Sequence, residues 1–205
     1  MSHQEQSSPQ LSQPSQSSGS LLPRLPGPLI LFSGGLDSLA CIAYYRKLLL
    51  TPEALFVDYG QAPRKREAST AAALAKELGL PFHTISLSGM RPRLGYIPGR
   101  NGLLLMLALM HASGRSGIVS IGIHRGSNYS DCTAQFIREV QDVYDLYSNG
   151  TLQIEAPFVE WTKGDVWTFL LAEGYPVSHT YSCETADAPC GTCASCRDVR
   201  MLNAR

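Results

Sequence analysis

A strong net charge and a long hydrophobic run are both absent from this chain of 205 residues. Lysine plus arginine number 17, as do aspartate plus glutamate, so the broad basic field of a nucleic-acid-binding protein is missing and no nucleic-acid partner is expected. The most apolar stretch, residues 103–110, is about half of the ~20 residues that span a bilayer, which predicts a buried helix and no membrane contact. The N-terminal region lacks the apolar core of a secretory signal and the arginines of a mitochondrial presequence, which predicts a cytoplasmic protein.

Apolar side chains are also scarce at the start of the chain. Serine and glutamine dominate residues 1–20, and such a composition cannot bury enough surface to fold. We therefore expect a disordered tail over residues 1–28. The remainder is predicted to form one domain over residues 29–180, with a cysteine-rich segment packed on it over residues 181–205.

Short apolar runs alternate with helical patterns along the predicted domain. This alternation predicts an α/β fold of the Rossmann-like, doubly wound type with a mainly parallel sheet. Ligands of such sheets bind beyond the carboxyl ends of the strands, where Ser33, Asp58 and His124 are expected to converge. The predicted strands are residues 29–32, 54–59, 82–87, 117–123 and 153–159, and the predicted helices begin near residues 39, 67, 101, 134 and 161.

Residues 33–38 read Ser-Gly-Gly-Leu-Asp-Ser, between the first predicted strand and the first helix. Two glycines allow a tight turn and a close approach of the backbone to a ligand. The N–H groups at the start of the helix then point outward, which suits a phosphate or pyrophosphate. The alternative is a Gly-Gly turn that is merely capped by serine or aspartate.

Four cysteines near the C-terminus follow the spacing C-x6-C-x2-C-x2-C: Cys183, Cys190, Cys193 and Cys196. Short loops between four thiols favour one tetrahedral zinc ion with no open position, that is, a structural site. A disulfide cluster is the competing interpretation. Of the other two cysteines, Cys41 is predicted to be a small buried residue of the first helix.

Taken together, five motifs resemble the QueC family of 7-cyano-7-deazaguanine (preQ0) synthases, which are PP-loop ATP pyrophosphatases. They are residues 33–38, 58–61 (Asp-Tyr-Gly-Gln), 96–101 (Tyr-Ile-Pro-Gly-Arg-Asn), 131–132 (Asp-Cys) and the cysteine segment 182–197. The resemblance runs in order from about residue 29 to the C-terminus. It implies an ATP-dependent ligase that uses Mg²⁺ and one structural Zn²⁺. The implied substrate is 7-carboxy-7-deazaguanine, whose carboxylate is adenylated with release of pyrophosphate, then converted by ammonia to an amide and after a second activation to a nitrile.

The resemblance also implies roles for individual residues. The turn would hold the β- and γ-phosphates of ATP, and Asp37 would help to hold Mg²⁺. Val57 and Asp58 would line the adenine pocket, whereas Arg100 and Lys163 would contact phosphate as fixed cations. The implied catalytic residues are Ser33, Asp37, Ser38, Arg100 and Lys163; the nucleotide-binding residues are Ser33, Gly34, Gly35, Leu36, Asp37, Ser38, Val57, Asp58 and Arg100; the substrate-binding residues are Tyr96, Gly122, Asp131 and Cys132.

Plainer interpretations of four of these residues stay open at this point. Arg100 could pair with an acidic residue of the fold, and Lys163 could be an exposed residue at the start of the last helix. Cys132 could line the pocket, act as a catalytic thiol or serve only in packing. Asn101, beside Arg100, could have no role other than to cap its helix.

The sequence departs from the family pattern on the substrate side. Ala62-Pro63 stands where the family has Arg-His, the stretch between Leu87 and Tyr96 is short, and residues 124–133 are shorter and more basic than usual. A second hypothesis is therefore a QueC-like paralog, of the kind found in antiphage defence, that passes the activated deazaguanine to a protein amine such as that of an operon partner. A third is a non-catalytic zinc- and nucleotide-binding partner protein, and a fourth a tRNA-modifying PP-loop enzyme. The family's tendency to dimerise suggests a homodimer.

Overall fold

The computed structural model describes residues 23–90, 92, 94, 96–127 and 129–204, and in this part of the chain it contains five strands and six α-helices. A 3-10 helix covers Val177–His179. The strands are β1 (Leu29–Leu31), β2 (Glu53–Asp58), β3 (Phe82–Ser86), β4 (Gly117–Ile121) and β5 (Leu152–Glu155). The helices are α1 (Leu36–Lys47), α2 (Arg64–Glu77), α3 (Arg100–His111), α4 (Ala134–Ser148), α5 (Lys163–Ala172) and α6 (Ala194–Asn203).

All strand pairs of the sheet are parallel, in the order β3-β2-β1-β4-β5. The chain winds outward from β1 to β3, returns, and continues on the other side of β1 through β4 and β5. The strand order therefore reverses between β1 and β4, and a crevice opens at such a point beyond the carboxyl ends of the strands.

Helices cover both faces of the sheet. Alternate residues of β1 point to opposite sides: Ile30 packs with α1, α2 and α5, whereas Leu29 and Leu31 pack with α3 and α4. Both faces are apolar because both are buried, as expected for a parallel sheet between two helical layers. The predicted doubly wound α/β fold is confirmed.

The ordered fold begins before residue 29. Leu25 is buried, and its backbone N–H donates to the Ser116 carbonyl at 2.8 Å beside β4. Residues 23–28 are thus part of the fold and not of the predicted tail, because their backbone groups find partners at the edge of the domain. Residues 1–22, the rest of that predicted tail, lie outside the described residues.

Apart from shifts of up to three residues at the ends of other elements, three elements differ from the prediction. The strand β5 ends at Glu155, before Pro157, which has no N–H to donate to a neighbouring strand. The helix α6 was not predicted; it begins directly after Cys193, inside the cysteine-rich segment. The helix α3 packs on one side only, so that Leu105 is fully buried while Met110 is 72% exposed, in contrast to the buried helix that its composition suggested.

Among the described residues, no helix is both long and apolar enough to cross a membrane.

Candidate active site

A cleft of about 440 Å³ opens beyond the carboxyl ends of β1, β2 and β4. Residues from distant parts of the sequence line it because the parallel sheet brings the ends of these strands to one edge. Gly34 and Asp58 do not line it. Of the predicted site residues, the following do: Ser33, Gly35, Leu36, Asp37, Ser38, Val57, Tyr96, Arg100, Gly122, Asp131, Cys132 and Lys163.

The turn before α1 has the conformation that its glycines predict. Gly34 has φ +77°, and a Cβ atom there would lie 2.8 Å from the Ala71 backbone nitrogen in α2. Gly35 is the N-cap of α1 and offers no side chain to cap it, while the Ser38 hydroxyl donates to the Gly35 carbonyl at 3.0 Å. The first N–H groups of α1 are therefore not capped by the turn's own side chains, and an anion in the cleft can accept from them.

The carboxylate of Asp37 binds Lys163 across the cleft. Lys163 Nζ lies 2.5 Å from Asp37 Oδ2, and the two side chains are 14% and 25% exposed. The second oxygen, Oδ1, is buried and has no hydrogen-bond partner in the described part of the chain. A carboxylate with one unused buried oxygen fits a hard cation such as Mg²⁺, which prefers oxygen ligands.

Gly122 packs directly on the first turn of α1. A Cβ atom at Gly122 would lie 2.6 Å from both the carbonyl carbon and oxygen of Asp37. Any larger residue would therefore push the start of α1 away from β4. Gly122 also lines the cleft, so its lack of a side chain shapes the floor beside Asp37.

The start of α3 is tied to the loop that carries two predicted substrate residues. Asn101, which is 2% exposed, donates its side-chain amide to the Asp131 carbonyl at 3.0 Å. The Asn101 backbone N–H in turn donates to Asp131 Oδ2 at 3.3 Å. Asp131 thus holds the N-terminus of α3, and at the same helix start Arg100 Nε donates to Asn101 Oδ1 at 3.3 Å. Burial, the largest effect, raises the pKa of the neighbouring Cys132 thiol, which favours the neutral form.

Several cleft residues were not predicted from sequence. Gln61 donates its amide to Val57 O at 3.1 Å and to Glu67 Oε2 at 2.9 Å, which links the end of β2 to α2. Burial raises the pKa of Glu67, despite the Gln61 hydrogen bond and the nearby Arg100. The match over residues 58–61 pointed to Gln61, but nothing local signalled Glu67, whose contribution depends on where α2 packs.

Two aromatic rings that line the cleft stack on each other. Tyr96 and Tyr129 have ring centroids 4.8 Å apart and planes inclined by 16°. Tyr96 was predicted from its motif, whereas Tyr129 was not, because it lies in the loop that departs from the family pattern.

The four predicted metal-ligating cysteines converge. Their sulfur atoms all lie within 4.8 Å of one another, and the structure shows them as free thiols. The Thr185 hydroxyl, followed by the backbone N–H groups of Thr192 and Cys193 that point at Cys190 Sγ, lowers the pKa of the Cys190 thiol to about 5. A tetrahedral ion with sulfur ligands at about 2.3 Å would place the sulfur atoms about 3.8 Å apart. The four cysteines therefore have the ligand type of a metal site, and their sulfur–sulfur distances are close to those that such a site requires.

The cysteine segment also forms a wall of the cleft. The Tyr181 backbone N–H donates to the Gly34 carbonyl at 3.1 Å, and a Cβ atom at Gly35 would lie 3.3 Å from the Tyr181 carbonyl oxygen. Arg66 of α2 lies over the Tyr181 ring at 5.6 Å. The chain immediately before Cys183 therefore contacts the glycine turn directly.

Comparison with known proteins identifies the family. The sequence model described as "Queuosine biosynthesis protein QueC" matches residues 28–92 and 89–201. The chain belongs to the QueC family. Among curated relatives, the 7-cyano-7-deazaguanine synthase of Methanosphaerula palustris is 34% identical over 81% of this chain and 89% of its own length. The 7-cyano-7-deazaguanine synthase of Synechococcus sp. strain CC9311 is 31% identical over 82% of this chain and 88% of its own length.

Solved structures support the fold of this QueC-family chain. It is similar to NMN synthetase from Francisella tularensis, with a TM-score of 0.50 and 16% identity, over 88% of this chain and 78% of that one. It is likewise similar to the U34-tRNA thiolase NcsA from Methanococcus maripaludis, solved with its [4Fe-4S] cluster, with a TM-score of 0.50 and 14% identity, over 88% of this chain and 66% of that one. At these identities the likeness concerns the fold alone.

Proposed function

We propose that this QueC-family chain is an ATP-dependent ligase that adenylates the carboxylate of 7-carboxy-7-deazaguanine. The substrate carboxylate oxygen attacks the α-phosphorus of ATP, and pyrophosphate leaves. The nitrogen of ammonia then attacks the acyl carbon, AMP leaves, and the amide forms. The amide oxygen then attacks the α-phosphorus of a second ATP, and pyrophosphate leaves. Loss of AMP together with the two amide protons leaves the nitrile preQ0.

One observation carries this proposal: an uncapped helix start and two cations share one cleft with the family's substrate-side residues. The N–H groups at the start of α1 suit phosphate oxygens, and the proposed phosphate contacts of Arg100 and Lys163 add positive charge there. A carboxylate is a poor electrophile because oxide would be its leaving group. Such chemistry needs phosphate stabilisation more than it needs a strong base.

Asp37 is the residue proposed to hold Mg²⁺, because its buried Oδ1 has no partner among the described residues. The ion would neutralise charge on the phosphates. Lys163 then has two tasks: it orients Asp37 through Oδ2 and presents positive charge to the cleft. Asp58 is better explained as structural, because its Oδ1 accepts from the Gly60 N–H at 2.9 Å outside the cleft.

Cys183, Cys190, Cys193 and Cys196 are proposed to bind one Zn²⁺. Four thiolate ligands leave no open position for water, so the ion would supply rigidity and not a reactive group. Its proposed consequence for the reaction is to hold the Tyr181 backbone against the glycine turn.

Product analysis by mass spectrometry tests the proposal. The metal-loaded protein is incubated with Mg²⁺-ATP, 7-carboxy-7-deazaguanine and ammonium, and AMP, pyrophosphate and the nitrile are expected. Accumulation of an acyl-adenylate would point to another amine, such as a protein terminus, as the acceptor. Accumulation of the amide would show that the reaction stops before the second activation. The absence of AMP would overturn the proposal.

A further inference from the structure

One acidic side chain of the cleft plays no part in the reaction described above. Glu184 lines the cleft directly after the metal ligand Cys183, and it is half-buried. Ser195, which lies between Cys193 and Cys196, donates its hydroxyl to Glu184 Oε1 at 2.6 Å. The carboxylate is therefore held between two stretches of chain that are each anchored by the cysteine cluster.

No ion pair occupies this carboxylate among the residues that the structure describes. The two cations of the cleft lie elsewhere: Lys163 is bound to Asp37, and Arg100 donates to Asn101 at 3.3 Å. A carboxylate in a partly closed cleft attracts N–H donors and repels phosphate oxygens. Glu184 therefore suits a donor-rich part of a ligand and not its phosphate groups.

Tyr129, beside the predicted substrate residues Asp131 and Cys132, lines the same cleft as Glu184. Burial and then the Glu184 charge raise the pKa of the Tyr129 phenol, while Arg100 lowers it. Tyr129 stacks on Tyr96. The carboxylate therefore shares the cleft with the aromatic pair.

We infer that Glu184 is the residue that recognises the base of the substrate, by accepting from its ring N–H and exocyclic amino group. This inference rests on the proposed function. In a 7-carboxy-7-deazaguanine the reacting carboxylate is on the five-membered ring, whereas the N–H and amino donors form one edge of the six-membered ring. A carboxylate can accept from both donors at once, and such charge-assisted pairs are both stronger and more selective than neutral hydrogen bonds.

The substitution Glu184→Gln tests this role, because it keeps the size of the side chain and replaces one acceptor by a donor. We expect KM for the deazaguanine to rise about 10- to 100-fold, with KM for ATP, KM for ammonium and metal content unchanged. Ser195→Ala, which removes the orienting hydroxyl, should raise the same KM by a smaller factor. Glu139→Gln, an exposed residue on α4, is the matched control and should behave as the wild type.

An analogue without the exocyclic amino group sharpens the test. The wild type should bind it about 10-fold more weakly than the full substrate, whereas Glu184→Gln should discriminate little between the two. Equal discrimination by both proteins, or a change in KM for ammonium alone, would overturn the inference.

Calorimetric binding of the deazaguanine separates this inference from the proposed function. If the wild type binds the base without forming AMP and Glu184→Gln binds it more weakly, the proposed reaction is refuted and the role of Glu184 is supported. Wild type that forms AMP with the same base affinity as Glu184→Gln would refute only the role of Glu184. A folded, metal-loaded wild type that does not bind the base would refute both.

Discussion

Lys163 Nζ lies 2.5 Å from Asp37 Oδ2, which joins the first residue of α5 to the first turn of α1 across 126 positions of the sequence. The pair lies in the cleft, partly screened from water, so the two charges act on each other more strongly than an exposed pair does. Asp37 is thereby oriented with its other oxygen buried. Several consequences of this arrangement and of its neighbours can be measured.

Asp37→Ala should lower the rate of AMP formation at least ~10²-fold, because it removes the proposed Mg²⁺ ligand and the partner of Lys163. The fold should remain, since the side chain contributes no core packing. AMP release and circular dichroism check the two statements. Asp142→Ala, on the exposed face of α4, is the matched control. Full activity of Asp37→Ala would remove the residue from the proposed mechanism.

Gly122→Ala should destabilise the protein by ~1–3 kcal/mol, because the new Cβ would lie 2.6 Å from backbone atoms of Asp37 that cannot move freely. The displaced start of α1 should also weaken ATP binding. Gly102→Ala provides the control: it lies in α3 with no atom within 4 Å of the new Cβ, and should be neutral or stabilising by up to ~1 kcal/mol. Chemical denaturation of both variants measures the change in stability, and nucleotide titration measures the change in ATP affinity.

Removal of the metal should weaken nucleotide binding as well as stability. Cys193→Ser deprives the cluster of a thiolate, and structural zinc contributes on the order of 10 kcal/mol in small sites. The segment before Cys183 should then loosen its hydrogen bond to Gly34. Metal analysis, thermal unfolding and nucleotide titration measure the three effects.

Cys41→Ala controls for the loss of any cysteine. Cys41 is fully buried in α1, and burial raises the pKa of its thiol to about 12, so it is a packing residue outside the metal site. This variant should keep its metal. A stable, soluble and metal-free Cys193→Ser protein with normal nucleotide affinity would contradict both the metal assignment and its link to the glycine turn.

Asn101→Ala should lower the free energy of unfolding by ~1–3 kcal/mol, because it leaves the buried carbonyl of Asp131 without its donor. The same loss should free the loop around Cys132 and raise KM for the deazaguanine more than KM for ATP. Denaturation curves and steady-state kinetics check the two effects. An unchanged KM ratio would show that the loop is positioned by other contacts.

The features that were predictable from sequence depend on near neighbours in the chain. Residues 33–38 contain within themselves the glycines and hydroxyls of the turn, and the cysteine spacing brings four thiols together through short loops. Alternating apolar runs likewise determined the parallel α/β fold, because both faces of such a sheet are buried. The family assignment followed from the order of these motifs and is confirmed by the match over most of the chain.

The tertiary structure alone decided which side chains share the cleft and what each of them contacts. Lys163 could have been an exposed helix start, and only the packing of α5 on α1 brings it to Asp37. Gly122 was predicted to contact substrate and does line the cleft, but only the structure shows that a Cβ atom there would meet the backbone of Asp37. No feature of the sequence marked Glu184 as a cleft residue, apart from its position directly after Cys183. Contacts between residues more than a hundred positions apart depend on how whole elements pack, and no local pattern of the sequence encodes that packing.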